Sequence, residues 1–238
     1  MQIINKKIIG KIKSKGINFI TIDGITCSGK SIFAELLMRE LKKKNKNVQI
    51  LSKDLFLLPR EKRIELTKKK NKNKNFYLQQ NKLHYDQKKL KLLLKHFSKK
   101  PYERFNPLTI TKLYDRKTGK NTKKVKFKFK QDSLVIFEGL YVNDDIKKIK
   151  NPIYKILLIE KIYESLARKI ERIRDKKISV QLVVTEFIKI HLESFKKYLN
   201  KNNFDISFED IDRNFVAKKQ GKVKQLEYIK KFLSKHRY

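Results

Sequence analysis

The chain has 238 residues, 61 Lys and Arg against 24 Asp and Glu, a formal net charge of +37 and a single cysteine. That length suits one α/β domain with a substantial core, and the lone cysteine excludes an internal disulfide framework and fits a reducing compartment. No apolar run approaches the length that spans a bilayer and no signal-peptide pattern opens the chain, so the expected location is cytoplasmic.

The positive charge would attract nucleic acid or an anionic surface in a salt-dependent way. Yet the lysines are spread over the whole chain and mixed with asparagines, as in 68-KKKNKNKN-75. That dispersal gives an electrostatic footprint without a reading motif, so nucleic acid is expected only through non-specific charge.

In chain order, residues 1–16 form a basic leader without acidic groups. Ile17 to Ile22 reads as a strand and Ile32 to Lys44 as a helix. Between them, Gly24-Ile25-Thr26-Cys27-Ser28-Gly29-Lys30-Ser31 matches the phosphate-binding pattern GxxxxGK[ST] at every fixed position. The glycines let the backbone turn so that successive N–H groups face a triphosphate. Lys30 adds a compact charge for the β- and γ-phosphates, Ser31 offers a hydroxyl to Mg²⁺, and the helix start adds its dipole.

Val48 to Ser52 is a second short apolar strand that ends at Lys53-Asp54. An acidic residue just past such a strand lies where open α/β sheets bind ligands, which marks Asp54 for chemistry. Residues 60–75 read as a charged helix fraying into a loop. The Leu90, Leu92, Leu93, Leu94 and Phe97 spacing after His84-Tyr85-Asp86 predicts a helix with one buried face, capped by Asp86. Leu108 to Leu113 and Val125 to Phe129 read as an antiparallel hairpin within an excursion over 101–130, turning through Tyr114-Asp115 to Gly119.

Ser133 to Phe137 is a continuous apolar run that fits a central parallel strand and ends in Glu138-Gly139; Ile153 to Ile159 is another. The helix after it carries Arg168, Lys169, Arg172 and Arg174, which repel one another unless an anion lies near, so a phosphate-facing role is expected. A long helix from Gln181 to Leu199, a strand near Phe204 to Phe208 and a helix from Val223 to Leu233 complete the layering.

Taken together, these stations resemble the uridine kinase and phosphoribulokinase-like branch of P-loop kinases over roughly residues 17–210. The segment 52-SKDLF-56 stands where that family has SxDxFY, with Leu57 in place of its tyrosine. The segment 81-NKLHYDQKK-89 echoes NFDHPDAFD, keeping Asn81, His84 and Asp86 but with Leu83 at its first aspartate. Tyr114-Asp115 matches the start of YDxxxHxR, with Gly119 at the histidine, and 134-LVIFEGL-140 is close to VVLFEGI. The stretch 166-LARKIER-172 is similar to the family's LxRRxxR lid motif, in a lid shortened by several residues.

The resemblance implies an α/β, P-loop NTPase-type three-layer sandwich with a mostly parallel central sheet, a small β-hairpin insertion and a short helical lid. It implies ATP and Mg²⁺, with Asp54 taking the acceptor proton, Lys30 and Glu138 at the reaction centre, and Ser31 and Glu138 at the metal. Residues 24–31, Arg172 and Arg174 are expected at the nucleotide, and Asp54, His84, Tyr114, Asp115, Lys169 and Gln181 at the substrate. The activity expected is transfer of the γ-phosphoryl group to a small molecule's hydroxyl, with a nucleoside as the first candidate. Open alternatives are a same-fold kinase for pantothenate, a sugar or a sugar phosphate, a nucleotide hydrolase, and a basic nucleic-acid-binding P-loop protein. No guanine-reading NKxD segment favours the hydrolase, and a homo-oligomer stays open.

Overall fold

The computed structural model describes residues 10–12, 17–43, 47–70, 83–98, 106–130, 133–147, 149, 151–173, 179–211 and 214–235. Most of the basic leader, residues 71–75, Asn81 and Arg174 lie outside these described residues.

The centre of the molecule is β1 (Phe19–Gly24), every residue of which is buried. It pairs in parallel with β5 (Leu134–Glu138) on one side and β6 (Ile153–Ile159) on the other. Beyond them lie β2 (Val48–Ser52), parallel to β5, and β7 (Ile206–Ile211), parallel to β6. The sheet order is β2-β5-β1-β6-β7-β8, and β8 (Asn214–Lys218) closes the edge antiparallel to β7. Strands covered on both faces are apolar, which is why Leu134 to Phe137 of β5 and Ile156 to Ile159 of β6 read as hydrophobic runs.

Side chains that alternate along these strands serve two different layers. Ile20, Ile22, Ile136, Leu158 and Phe208 meet Phe33, Ala34, Leu37 and Leu41 of α1 (Lys30–Lys42) on one face. Phe19, Val135 and Phe137 point the other way, into α3 (Gln87–Ser98), which follows α2 (Arg60–Lys70) in the chain, and into Ile110, Leu113 and Phe127 of a hairpin. At the other end of that face, Leu157 packs with Phe187, Phe195, Leu199, Ile229 and Phe232 from the later helices. The result is the three-layer α/β arrangement expected.

The hairpin is a separate two-stranded sheet of β3 (Leu108–Tyr114) and β4 (Asn121–Phe127). Its second strand begins four residues before the expected Val125, because pairing with β3 supplies the backbone partners that the lysine-rich stretch does not advertise. Asp115 Oδ1 accepts from Lys117 N at 2.9 Å, and Gly119 sits at φ +73°, where a side chain is strained. The Asp86 cap is present, with Lys89 N donating to Asp86 Oδ1 at 3.1 Å.

After β5, α4 (Val142–Asp145) is a single short turn, and after β6 comes α5 (Ile162–Glu171). The long helix expected over 181–199 is continuous but not uniform: α6 (Val180–Glu186), a π-helical segment (Phe187–Leu192) and α7 (Glu193–Lys201). A π segment adds a residue to the turn and commonly marks a functional wall. The edge strand β8, five residues long and antiparallel, was not among the elements expected; α8 (Gly221–Lys235) then covers β6 and β7.

Candidate active site

The phosphate loop lies at the carboxyl end of β1, and its shape depends on its glycines. A Cβ on Gly24 would lie 2.6 Å from Ser28 Oγ and 3.1 Å from the Leu158 carbonyl, and Gly29 sits at φ +79°. Cys27, at φ +60°, also turns the backbone left-handed, the kind of turn that gathers adjacent N–H groups into a concavity suited to an anion. Ser28 Oγ is buried there without a hydrogen-bond partner among the described residues. Lys30 Nζ donates to the Gly24 and Ile25 carbonyls at 3.0 and 2.7 Å, so the loop holds its own cation in place.

Ser28 to Ser31, Asp54 and Glu138 line one cavity of about 250 Å³. The parallel register explains the meeting: Ser52, at the tip of β2, faces Glu138, at the tip of β5, and Ile22 of β1 also faces Glu138. Asp54 follows in a 3₁₀ turn, Lys53–Phe56, that bends the chain back over the strand ends. Burial lowers the Lys30 pKa, while Glu138, then Asp54 and Asp23, act to keep it charged. Burial raises the Glu138 pKa; a hydrogen bond to Ser52 opposes this, the Asp54 charge adds to it, and Lys30 and Arg116 oppose it.

One buried strut keeps the two strand tips in register. Lys53 is fully buried, donates to the Leu140 carbonyl at 2.8 Å, pairs with Asp145 at 2.6 Å and lies 4.6 Å from the centre of the Tyr85 ring. Gly139 belongs to this contact, because a Cβ there would lie 2.6 Å from Lys53 Cβ. Beneath the loop, Asp23 accepts from Tyr198 Oη at 2.5 Å and from the Val142 and Asn143 amides at 3.2 Å each.

Residues 17–90 match the family described as chromatin associated protein KTI12. No curated protein matches the chain in sequence. Among solved structures, one described as a possible uridine kinase from Bacillus stearothermophilus aligns at 19% identity and a TM-score of 0.58, over 84% of this chain and 93% of that one. D-glycerate 3-kinase from Cryptococcus neoformans aligns at 13% identity and a TM-score of 0.61, over 88% and 94%. The YGR205w protein aligns at 17% identity and a TM-score of 0.59, over 89% and 94%. The fold is that of the P-loop kinases.

Within this P-loop kinase fold, the site residues expected from sequence divide into two groups. Thr26 to Ser31, Asp54, His84, Glu138 and Arg172 all reach the cavity. Tyr114 and Asp115 do not line it: Tyr114 is buried and accepts from Arg63 Nη2 at 2.9 Å, and Asp115 is spent on the hairpin turn. Lys169 lies 5.4 Å from the centre of the Phe187 ring, where burial lowers its pKa to about 8. Gln181 is exposed on the first turn of α6, and Arg174 lies outside the described residues.

The expected anion beside the basic run of α5 is in part the protein's own. Arg168 pairs with Glu160 at 2.5 Å and reaches Glu164 and Asp210 at 3.5 Å, and its Nη1 lies 3.4 Å from the Cys27 carbonyl. This cation therefore braces the back of the P-loop against the tips of β6 and β7.

Among the wall residues that sequence does not mark for the site are Arg63, Arg116 and His191. Arg116 follows Tyr114-Asp115 directly, so its motif was seen but its own reach was not. There it donates to the Asp54 carboxylate. His191 enters the wall from the π segment, where the changed pitch turns a position that regular helical spacing does not single out. Burial, then the charges of Lys169 and His84, hold the His191 pKa well below its ordinary value; burial and Arg63 lower that of His84 to about 4. Both imidazoles are thus neutral near pH 7.

The cavity fits a magnesium nucleotide. Its concave amides and buried, unpartnered Ser28 hydroxyl suit phosphate oxygens, and Ser31 with Glu138 offers the sparse oxygen set Mg²⁺ takes when phosphates complete its shell. Among the described residues no group of three or more His, Cys, Asp or Glu is placed to hold a metal ion. No helix among them is long and apolar enough to cross a membrane.

Proposed function

We propose that the chain is a single kinase domain, with its hairpin over 101–130 and lid over 168–181, that transfers the γ-phosphoryl group of ATP to a hydroxyl of a small molecule. The observation that carries this reading is the convergence of Lys30, Asp54 and Glu138 on one cavity beside the phosphate loop. The loop amides and Lys30 hold the phosphates. Asp54 accepts the proton of the acceptor hydroxyl as its oxygen bonds to the γ-phosphorus, and the bond to the β–γ bridging oxygen breaks to leave ADP.

When bound through Ser31 and Glu138, Mg²⁺ would supply charge neutralisation on the phosphates. A loose phosphoryl transition state needs little covalent help, so alignment and charge carry the rate. Arg172, on the cavity wall at the end of α5, would close over the nucleotide from the lid side and exclude water, which competes as an acceptor. A nucleoside is one acceptor class consistent with this site; a sugar, a sugar phosphate or a hydroxy acid is another.

The test is ADP formation that depends on an added hydroxyl compound, across nucleosides, sugars and hydroxy acids, in parallel with Asp54→Asn. Acceptor-dependent turnover that collapses in Asp54→Asn supports the reading; an equally fast variant removes the base.

A second reading is favoured by the net charge of +37 and the match of residues 17–90 to a family described as chromatin associated: a P-loop protein working on nucleic acid. It requires DNA or RNA binding that persists at about 150 mM salt and stimulates nucleotide turnover.

A further inference from the structure

The pair formed by Arg116 and Asp54 narrows the acceptor class, on the basis of the phosphotransferase reading above. Asp54 receives the acceptor's proton in that reading, yet its carboxylate is engaged by the Arg116 guanidinium. The two arrive from different elements: Asp54 from the 3₁₀ turn after β2, and Arg116 from the turn of the β3–β4 hairpin. Partial burial works against the guanidinium charge, but Asp54, then Glu138, outweigh it and push its pKa up. The Arg116 side chain is 58% exposed, so it can leave Asp54 without dismantling a packed core.

The contact holds Asp54 by its Oδ2, so an acceptor hydroxyl that approaches this oxygen loosens it. A guanidinium taken from a carboxylate needs another anion, and its planar fork matches a carboxylate or a phosphate best. The other carboxylate on this wall, Glu138, is hydrogen-bonded to Ser52, shares its charge with Lys30 and is given to Mg²⁺ in the reading above. Arg63 stands on the same wall from α2, held in place by the Leu58 carbonyl at 3.0 Å and the Tyr114 hydroxyl at 2.9 Å, and adds a second fixed positive charge. The phosphates of the nucleotide are served by other groups lining the cavity, the loop amides and Lys30.

We infer that the acceptor carries an oxyanion beside its reacting hydroxyl, and that Arg116 moves from Asp54 to that oxyanion when it binds. The resting pair thereby keeps Asp54 from activating water until an anionic alcohol arrives. The shared chemistry is a hydroxy acid or a phosphorylated alcohol.

The experiment measures acceptor-dependent ADP formation with matched compounds: glycerate against glycerol, pantothenate against pantothenol, ribose 5-phosphate against ribose, and uridine as a further neutral acceptor. The expected result is kcat/KM at least about 100-fold higher for an anionic member than for its neutral counterpart, since a site built for a charged group rejects the analogue lacking it. The carboxylate and phosphate arms tell the two oxyanions apart. Arg116→Met should raise KM for the anionic acceptor at least about tenfold and leave KM for ATP unchanged, with Arg116→Lys intermediate. Glycerol, pantothenol, ribose or uridine performing as well as the anions, or an Arg116→Met variant with unchanged preference, overturns the inference while the kinase reading stands. Absence of acceptor-dependent turnover with every compound overturns both.

Discussion

The Arg116 guanidinium donates to the Asp54 carboxylate from 62 positions further along the chain, so the hairpin turn and the tip of β2 share one charge pair at the mouth of the cavity. Asp54→Asn keeps the shape of this contact but removes the proton acceptor. We expect kcat to fall by about 10²–10⁴ with KM for ATP nearly unchanged, as for loss of a general base, and steady-state kinetics measure this.

Lys30 is desolvated in the P-loop and donates to two of the loop's own carbonyls. Lys30→Met should therefore leave the fold intact while removing the phosphate charge. Thermal denaturation with and without Mg·ATP separates these effects: the parent melts higher with ligand, and the variant loses that increment. A variant with full ligand-induced stabilisation would place the nucleotide elsewhere.

In the Lys53–Asp145 pair the lysine is fully buried and the carboxylate only 10% exposed, so removing one partner strands the other. Lys53→Met should destabilise the protein by about 3–5 kcal/mol, and Lys53→Met with Asp145→Leu should recover a large part of that loss. Urea unfolding of both variants tests the coupling. Equal stability of the single and double variants would mean that the ion pair contributes nothing of its own.

Asp23 has its pKa raised from 3.8 to about 6; burial is the largest cause, opposed by the Tyr198 hydroxyl and the Asn143 and Val142 amides. Folding therefore favours the protonated carboxyl. Its contribution to stability is fully present below pH 3.8 and is lost as pH rises through about 6. Relative to Asp23→Asn, the parent should lose on the order of 2–3 kcal/mol between pH 4 and pH 7, read from denaturant unfolding at each pH. A pH-independent difference between the two proteins would show that Asp23 does not titrate in this window.

Where hydrophobic pattern and local chemistry act over a few residues, the chain states its structure openly. The apolar runs of β5 and β6, the Asp86 cap and the glycine-bounded loop each depend on neighbours in sequence, and each is found where its residues imply. β8 was not legible because an edge strand of five residues is stabilised by its partner β7 more than by its own composition. Tyr114 and Asp115 show the converse: a motif was visible, but the fold uses one side chain in the core and the other in a turn, and brings the next residue to the cavity instead.

Sequence by itself determined the phosphate loop, the layered α/β class and the two carboxylates at strand ends, because GxxxxGK[ST] and strand-to-loop transitions are short-range statements about backbone freedom and burial. Only the tertiary structure decided which charges meet. The β2–β5–β1 register brings Asp54 and Glu138 to Lys30, the hairpin carries Arg116 onto Asp54, and the π segment turns His191 inward. Those encounters depend on how separately encoded elements pack, and Coulomb energies over a few ångströms are set by that packing rather than by spacing along the chain.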